Sequence, residues 1–267
     1  MPEIRVNNVT LFYEEMGSGP ETVVFSHSYL VSSYHFYPQM QALRQQYRCL
    51  AYDHRGHGKS EVAEEGYDME NLYADAVGLI EELDCAPCHF VGLSTGGFIG
   101  LRLGIRRPDL LKSLVLMDTS ADAEPEENLR QYKLLMFIVR WLGYSPVVGR
   151  VLPLMFTRKF LKDPERKDEV KEWKRRLMAN NRKAMVKFGQ GIFARASVYE
   201  ELHNIETPTL LVVGEEDVAQ PVFRAKRIAE QIPGATLSVI PHAGHLSTVE
   251  EPAAVNAALK EFLLAHT

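Results

Sequence analysis

Gly92-Leu93-Ser94-Thr95-Gly96-Gly97 decides how this chain is read. An apolar run, His89-Phe90-Val91, precedes it, and a segment of helical character, residues 98–106, follows. G-x-S-x-G between a strand and a helix is the pattern of a nucleophile elbow. The serine sits on a turn so tight that the flanking residues tolerate only hydrogen, which accounts for Gly92 and Gly96. Its Oγ then projects clear of the sheet. The Thr95 N–H points the same way from the start of a helix, where it can stabilise a developing oxyanion. The pentapeptide alone is also a common turn, so the reading depends on partners elsewhere in the chain.

On either side of the elbow, strands and helices alternate. Residues 3–15 alternate polar and apolar around Asn7-Asn8 and read as a hairpin. Residues 22–25 read as a buried strand, 48–52, 89–93, 114–117, 209–213 and 236–240 as further strands, and 68–83, 97–106, 222–231 and 252–265 as helices. This order predicts the α/β class, with a mostly parallel twisted sheet flanked by helices. Between residues 120 and 208 the rhythm breaks into helices only, at 126–142, 145–156, 164–179 and 183–193. An insertion after the sixth strand sits where ligands bind in open α/β sheets. The expected organisation is therefore a core in two parts, residues 1–121 and 207–267, with a helical cap over 122–206.

The 267 residues, 46% apolar, suffice for one large core. A net charge of −5 gives no reason to expect nucleic acid. The most apolar stretch, residues 134–156, is broken by Arg140, Gly143, Pro146, Arg150 and Pro153, so no membrane partner is expected. Three cysteines and no basic, apolar, cleavable leader at Met1-Pro2-Glu3-Ile4-Arg5 predict a cytoplasmic protein. Cys85-Ala86-Pro87-Cys88 has redox spacing, but no second pair completes a metal site and the motif does not open a helix. It reads as a loop. No metal and no cofactor are implied.

A serine needs a base, and the base needs an orienting acid. On this architecture they follow in the order Ser, Asp or Glu, His. Asp217 lies just past the strand at 209–213, and His245 just past the strand at 236–240, both at the sheet edge that carries Ser94. Glu215, Glu216 and Asp118 are rival acids, and His242 is a rival base. Asp217 is preferred as the deepest in its loop, and His245 because Gly244 permits a close approach. The second oxyanion donor belongs in the loop Ser26-His27-Ser28-Tyr29-Leu30, where His-Gly is usual. Ser28 replaces the glycine and Tyr29 supplies the backbone N–H. His27, Ser28, Tyr34, Met136, Phe137 and Phe156 are candidates for the substrate pocket, with packing as the alternative for the aromatic string around Tyr34.

Assembled in this way, the chain resembles the α/β-hydrolase superfamily over nearly its full length, which implies the α/β-hydrolase fold. Asp53-His54-Arg55-Gly56-His57-Gly58-Lys59-Ser60 is similar to that superfamily's D-x-R-G-x-G-x-S loop, read here as structural support beside the elbow. A closer resemblance is to the 3-oxoadipate enol-lactonase and carboxylesterase group. It is carried by Asp118-Thr119-Ser120, by the elbow, and by His245-Leu246-Ser247-Thr248-Val249-Glu250, similar to that group's H-L-S-N-V-E. Thr95 stands where the group has Met, and Tyr29-Leu30 where it has Leu-Gly. The resemblance implies cofactor-free hydrolysis of small esters or lactones through Ser94, His245 and Asp217. A slow-turnover ligand sensor, a carbon–carbon hydrolase or a perhydrolase on the same triad are the alternatives. Residues 158–187 hold twelve Lys/Arg against five Asp/Glu. That surplus reads either as a steering field for an anionic substrate or as a solvated helical face.

Overall fold

The computed structural model describes residues 2–267. Its single sheet contains β1 (Glu3–Val6), β2 (Val9–Met16), β3 (Glu21–Ser26), β4 (Tyr47–Tyr52), β5 (Cys88–Leu93), β6 (Leu111–Met117), β7 (Thr209–Gly214) and β8 (Thr236–Ile240). The spatial order is β1-β2-β4-β3-β5-β6-β7-β8. Asn7 and Asn8 both take positive φ, 42° and 61°, as a two-residue hairpin turn requires, and β1 pairs antiparallel with β2. β2 is antiparallel to β4, and every later pairing is parallel. β5 and β7 are buried along their whole length, which explains their unbroken apolar sequence; β8, at the edge, is mostly exposed or half-buried.

Helices α1 (Tyr37–Leu43), α2 (Met69–Glu82), α3 (Thr95–Arg106), α9 (Val222–Gln231) and α11 (Pro252–Leu264) pack on the sheet, and the single turn α10 (Ser247–Glu250) packs against α1 and α11. α2 starts where Asp68 accepts from the N–H groups of Glu70 and Asn71, both at 3.1 Å, a cap that contributes about 1 kcal/mol. Between β6 and β7 lie α4 (Glu126–Leu142), α5 (Val148–Met155), α6 (Arg158–Lys162), α7 (Lys167–Ala179) and α8 (Arg182–Phe193). The sequence reading assigned no range to α1, α6 or α10, which are too short for a helical period to show. It also placed the start of α3 two residues late, because the elbow opens directly into the helix.

Burial pushes the Cys85 thiol up to about 11 and that of Cys88 further, so neither is a thiolate nucleophile at neutral pH. No helix among the described residues is long and apolar enough to cross a membrane. Parallel strands bring the carboxyl ends of β3, β5, β6, β7 and β8 to one edge. The next residues after those ends hold the site.

Candidate active site

At the elbow Ser94 has φ 54° and ψ −105°, a conformation that side-chain-bearing residues rarely adopt. The surroundings enforce it. The Ser94 N–H donates to the Met117 carbonyl at 2.8 Å, and its own carbonyl accepts from Phe98 N at 2.9 Å and Thr119 Oγ1 at 2.9 Å. A Cβ on Gly92 would stand 2.2 Å from the Gly96 carbonyl oxygen, and one on Gly96 would stand 2.0 Å from that of Ser26. Neither position admits a side chain.

His245 Nδ1 lies 2.9 Å from Asp217 Oδ2. The other carboxylate oxygen of Asp217 accepts from the N–H groups of Ala219, at 2.8 Å, and Gln220, at 2.9 Å. Asp217 is thus fixed by its own loop, and it accepts a hydrogen bond from His245 Nδ1–H, which leaves Nε2 with a lone pair. Burial pulls the His245 pKa down, but the charge and hydrogen bond of Asp217, with Asp118 beyond, raise it by more. Asp118 is occupied elsewhere: it accepts from Gly214 N and Ser247 Oγ, both at 2.7 Å. Burial, then the neighbouring Asp217 charge, hold its carboxyl well above the ordinary range. Glu215, Glu216 and His242 are exposed.

The amides of Tyr29 and Thr95 have no acceptor among the described residues. The loop carrying Tyr29 is tied to the elbow by Gly96 N–H donating to the His27 carbonyl at 3.2 Å. His27 itself lies beneath this loop. Its Nε2 accepts from His54 N at 2.8 Å, so its Nδ1 is the donor to the Ser28 carbonyl at 2.6 Å. The Tyr29 hydroxyl donates to the Met185 carbonyl of α8 at 2.7 Å, joining this loop to that helix.

Ser94 and His245 line one cavity of about 140 Å³. Of the pocket candidates, Ser28 and Met136 line it and four others do not. Tyr34, 42% exposed, lines a separate cleft and lies under Arg176, 3.6 Å from the ring centroid. Phe156 stacks on Phe160 at 4.6 Å in that second region. Phe137 is 63% exposed because the turn of α4 that buries Met136 points its neighbour outward. His27 is buried below the loop that forms the floor. None of the twelve Lys/Arg of residues 158–187 lines this cavity. The sequence reading missed Glu124, Arg195 and Gln220, isolated polar residues in its wall that belong to no motif. It quoted Glu250 without a role. That carboxylate accepts from Gly244 N at 2.9 Å and from Thr157 N and Oγ1 at 3.0 and 2.6 Å, tying the His245 loop to the junction of α5 and α6.

Residues 23–258 match the alpha/beta hydrolase family. The chain belongs to that family and is a hydrolase. It is 28% identical over 263 residues to a putative carbamate hydrolase RutD of Caulobacter sp., covering 94% of this chain and 95% of that one. It is 29% identical over 238 residues to 3-oxoadipate enol-lactonase 1 of Acinetobacter baylyi, covering 88% and 86%. Among solved structures, the enol-lactonase of Burkholderia xenovorans superposes with a TM-score of 0.92 at 27% identity, covering 98% of this chain and all of that one.

The buried histidines around the loop at residues 26–30 make stability depend on pH. Burial, above all, depresses the pKa of His27, His35, His54 and His57. Each takes up a proton in the unfolded chain near 6.5 and resists it in the folded one. Their contribution is therefore complete above about 6.5 and lost as pH falls below it. His89, depressed chiefly by burial, adds to these four, while Asp118 and Glu250, raised by burial, and His245, pulled down by burial but raised further by Asp217, work in the opposite direction. Urea unfolding should show the free energy falling as the pH is lowered from 7 to 5.5. A flat profile would mean that these imidazoles are protonated in the fold.

Proposed function

We propose that this hydrolase cleaves small carboxylic esters or lactones without a cofactor, through an acyl-enzyme on Ser94. One observation carries the reading: the Asp217–His245 hydrogen bond leaves the imidazole Nε2 free, on a residue that lines the same small cavity as the strained Ser94. Ser94 Oγ attacks the carbonyl carbon while His245 Nε2 takes its proton. The N–H groups of Tyr29 and Thr95 bind the oxyanion, and His245 returns the proton to the leaving alcohol. A water then repeats the sequence on the acyl-enzyme and releases the acid. Asp217 stabilises the imidazolium formed in each half. We read residues 122–206 as the cap that closes this chamber. Its size is close to that of an apolar cavity of about 150 Å³ that accommodates benzene, which favours short acyl chains. The enol-lactonase relatives support ester-type chemistry.

A panel of p-nitrophenyl esters and simple lactones, combined with a fluorophosphonate reagent, tests the reading. Acetyl and butyryl esters should be turned over, and stoichiometric labelling should fall on the peptide containing Ser94 as turnover disappears. Labelling elsewhere, or activity that survives full labelling of Ser94, would overturn it.

A further inference from the structure

Two polar atoms on residues of the cavity wall lack a partner among the described residues, Arg195 Nε and the Tyr144 hydroxyl. The arginine is the more informative, because a guanidinium keeps its charge wherever it is placed. The side chains of Arg195 and its counter-ion Glu124 are each 2% exposed. Arg195 Nη1 donates to the Ile192 carbonyl and Nη2 to Glu124 Oε2, both at 3.1 Å, and the guanidinium carbon lies 4.0 Å from the centre of the Phe98 ring. Glu124 and Phe98 line the same cavity. The second oxygen of Glu124 accepts from Asn128 Nδ2 at 2.8 Å, so each carboxylate oxygen has a partner, while Nε of the guanidinium has none among the described residues. The neighbouring cations are committed elsewhere, Arg102 to Glu70 and Arg224 to Gln220.

None of the acyl-transfer steps uses this pair. A buried donor without an acceptor is unfavourable, and in a chamber built around a substrate the missing acceptor is naturally the substrate's own. The charge of that acceptor follows from Glu124. With its carboxylate already offsetting Arg195, the pair has no net charge, and a second carboxylate would lie beside Glu124 as well as Arg195.

We propose that Arg195, held by Glu124, is a specificity-determining residue that donates to a second, neutral carbonyl oxygen of the substrate, selecting oxo-esters and diesters over both plain and anionic esters. This rests on the ester-hydrolase reading of Ser94. It also turns the selectivity away from an anionic substrate, which the basic surface of residues 158–187 had suggested.

The test compares kcat/KM for isosteric ethyl esters: pentanoate, 4-oxopentanoate and the succinate half-ester, with butanoate against 3-oxobutanoate as a shorter pair. For the wild-type chain, at least one oxo-ester should exceed its plain partner about tenfold, the factor a single hydrogen bond supplies, and the half-ester should fall below pentanoate. Glu124→Gln keeps the shape and removes the counter-charge. It should raise the ratio of half-ester to pentanoate about tenfold or more, a gain that a purely structural role would not produce. Should that variant not fold, the double change Arg195→Met with Glu124→Gln removes both charges and should bring the oxo preference to about one. Unchanged ratios in the folded variants, or a wild-type preference for the half-ester, overturn the proposal. Turnover through Ser94 with equal rates across the panel sinks this inference alone. A chain that turns over no ester, or does so without Ser94, sinks the ester-hydrolase reading beneath it.

Discussion

Ser94→Gly should lose ester turnover and gain stability. The two effects have different causes and are read by different measurements. Without Oγ no acyl-enzyme forms, and what remains is the contribution of the oxyanion donors and binding, so kcat/KM should fall by about 10⁵ or more. Stability moves the other way because Ser94 is held at φ 54°, ψ −105° by hydrogen bonds on both sides of it. A residue with a Cβ in such a conformation carries a strain of about 1–3 kcal/mol, and glycine carries none. Part of that gain is offset by the greater freedom of glycine in the unfolded chain, leaving about 1 kcal/mol. Ser94→Ala is the control: it should lose the same rate but keep the Cβ and the strain. Urea midpoints of the three proteins at one pH separate the effects. If Ser94→Gly were less stable than Ser94→Ala, the elbow would not be the strained element described here.

The same sterics explain why the elbow was legible in the sequence. Gly92 and Gly96 abut backbone oxygens at distances that exclude any Cβ, so the pattern of residue types records the geometry directly. The alternation of strand and helix likewise puts the loops of Asp217 and His245 at the carboxyl ends of β7 and β8, where the structure has them. The wall of the cavity was not legible, for a reason visible in α4. Leu134, Leu135, Met136 and Phe137 are consecutive and all apolar, yet Leu135 and Met136 are buried while Leu134 and Phe137 are exposed. A helix apolar on several faces does not announce its rotation. Arg195 and Glu124 are separated by 71 residues in sequence and meet only through the packing of α8 against the chain after β6. Glu250 was quoted as part of a motif, but its partner Thr157 lies 93 residues away. Local sterics can be read from a sequence; pairings made by packing between distant segments cannot.

Asp217→Asn should lower kcat by about 10⁴ with little change in the backbone. The argument runs through a single proton. Asp217 Oδ1 accepts two backbone N–H groups, from Ala219 and Gln220, at 2.8 and 2.9 Å. Only the carbonyl oxygen of an asparagine can occupy that position, so the amide NH₂ must face His245 Nδ1. A donor there turns Nδ1 into the acceptor and moves the imidazole proton to Nε2, the atom that has to receive the proton of Ser94. The variant also loses the charge that keeps the His245 pKa raised against burial. In the wild-type protein the acid limb of kcat/KM should therefore lie above 6.5, since the base works only when neutral. In the variant, with burial unopposed by Asp217, the limb should move to lower pH even as the plateau collapses. Asp118 does not rescue the function, because Gly214 N and Ser247 Oγ already occupy its two oxygens. A fall of less than tenfold with an unmoved limb would transfer the orienting role to Asp118, and Asp118→Asn would then have to show the larger loss.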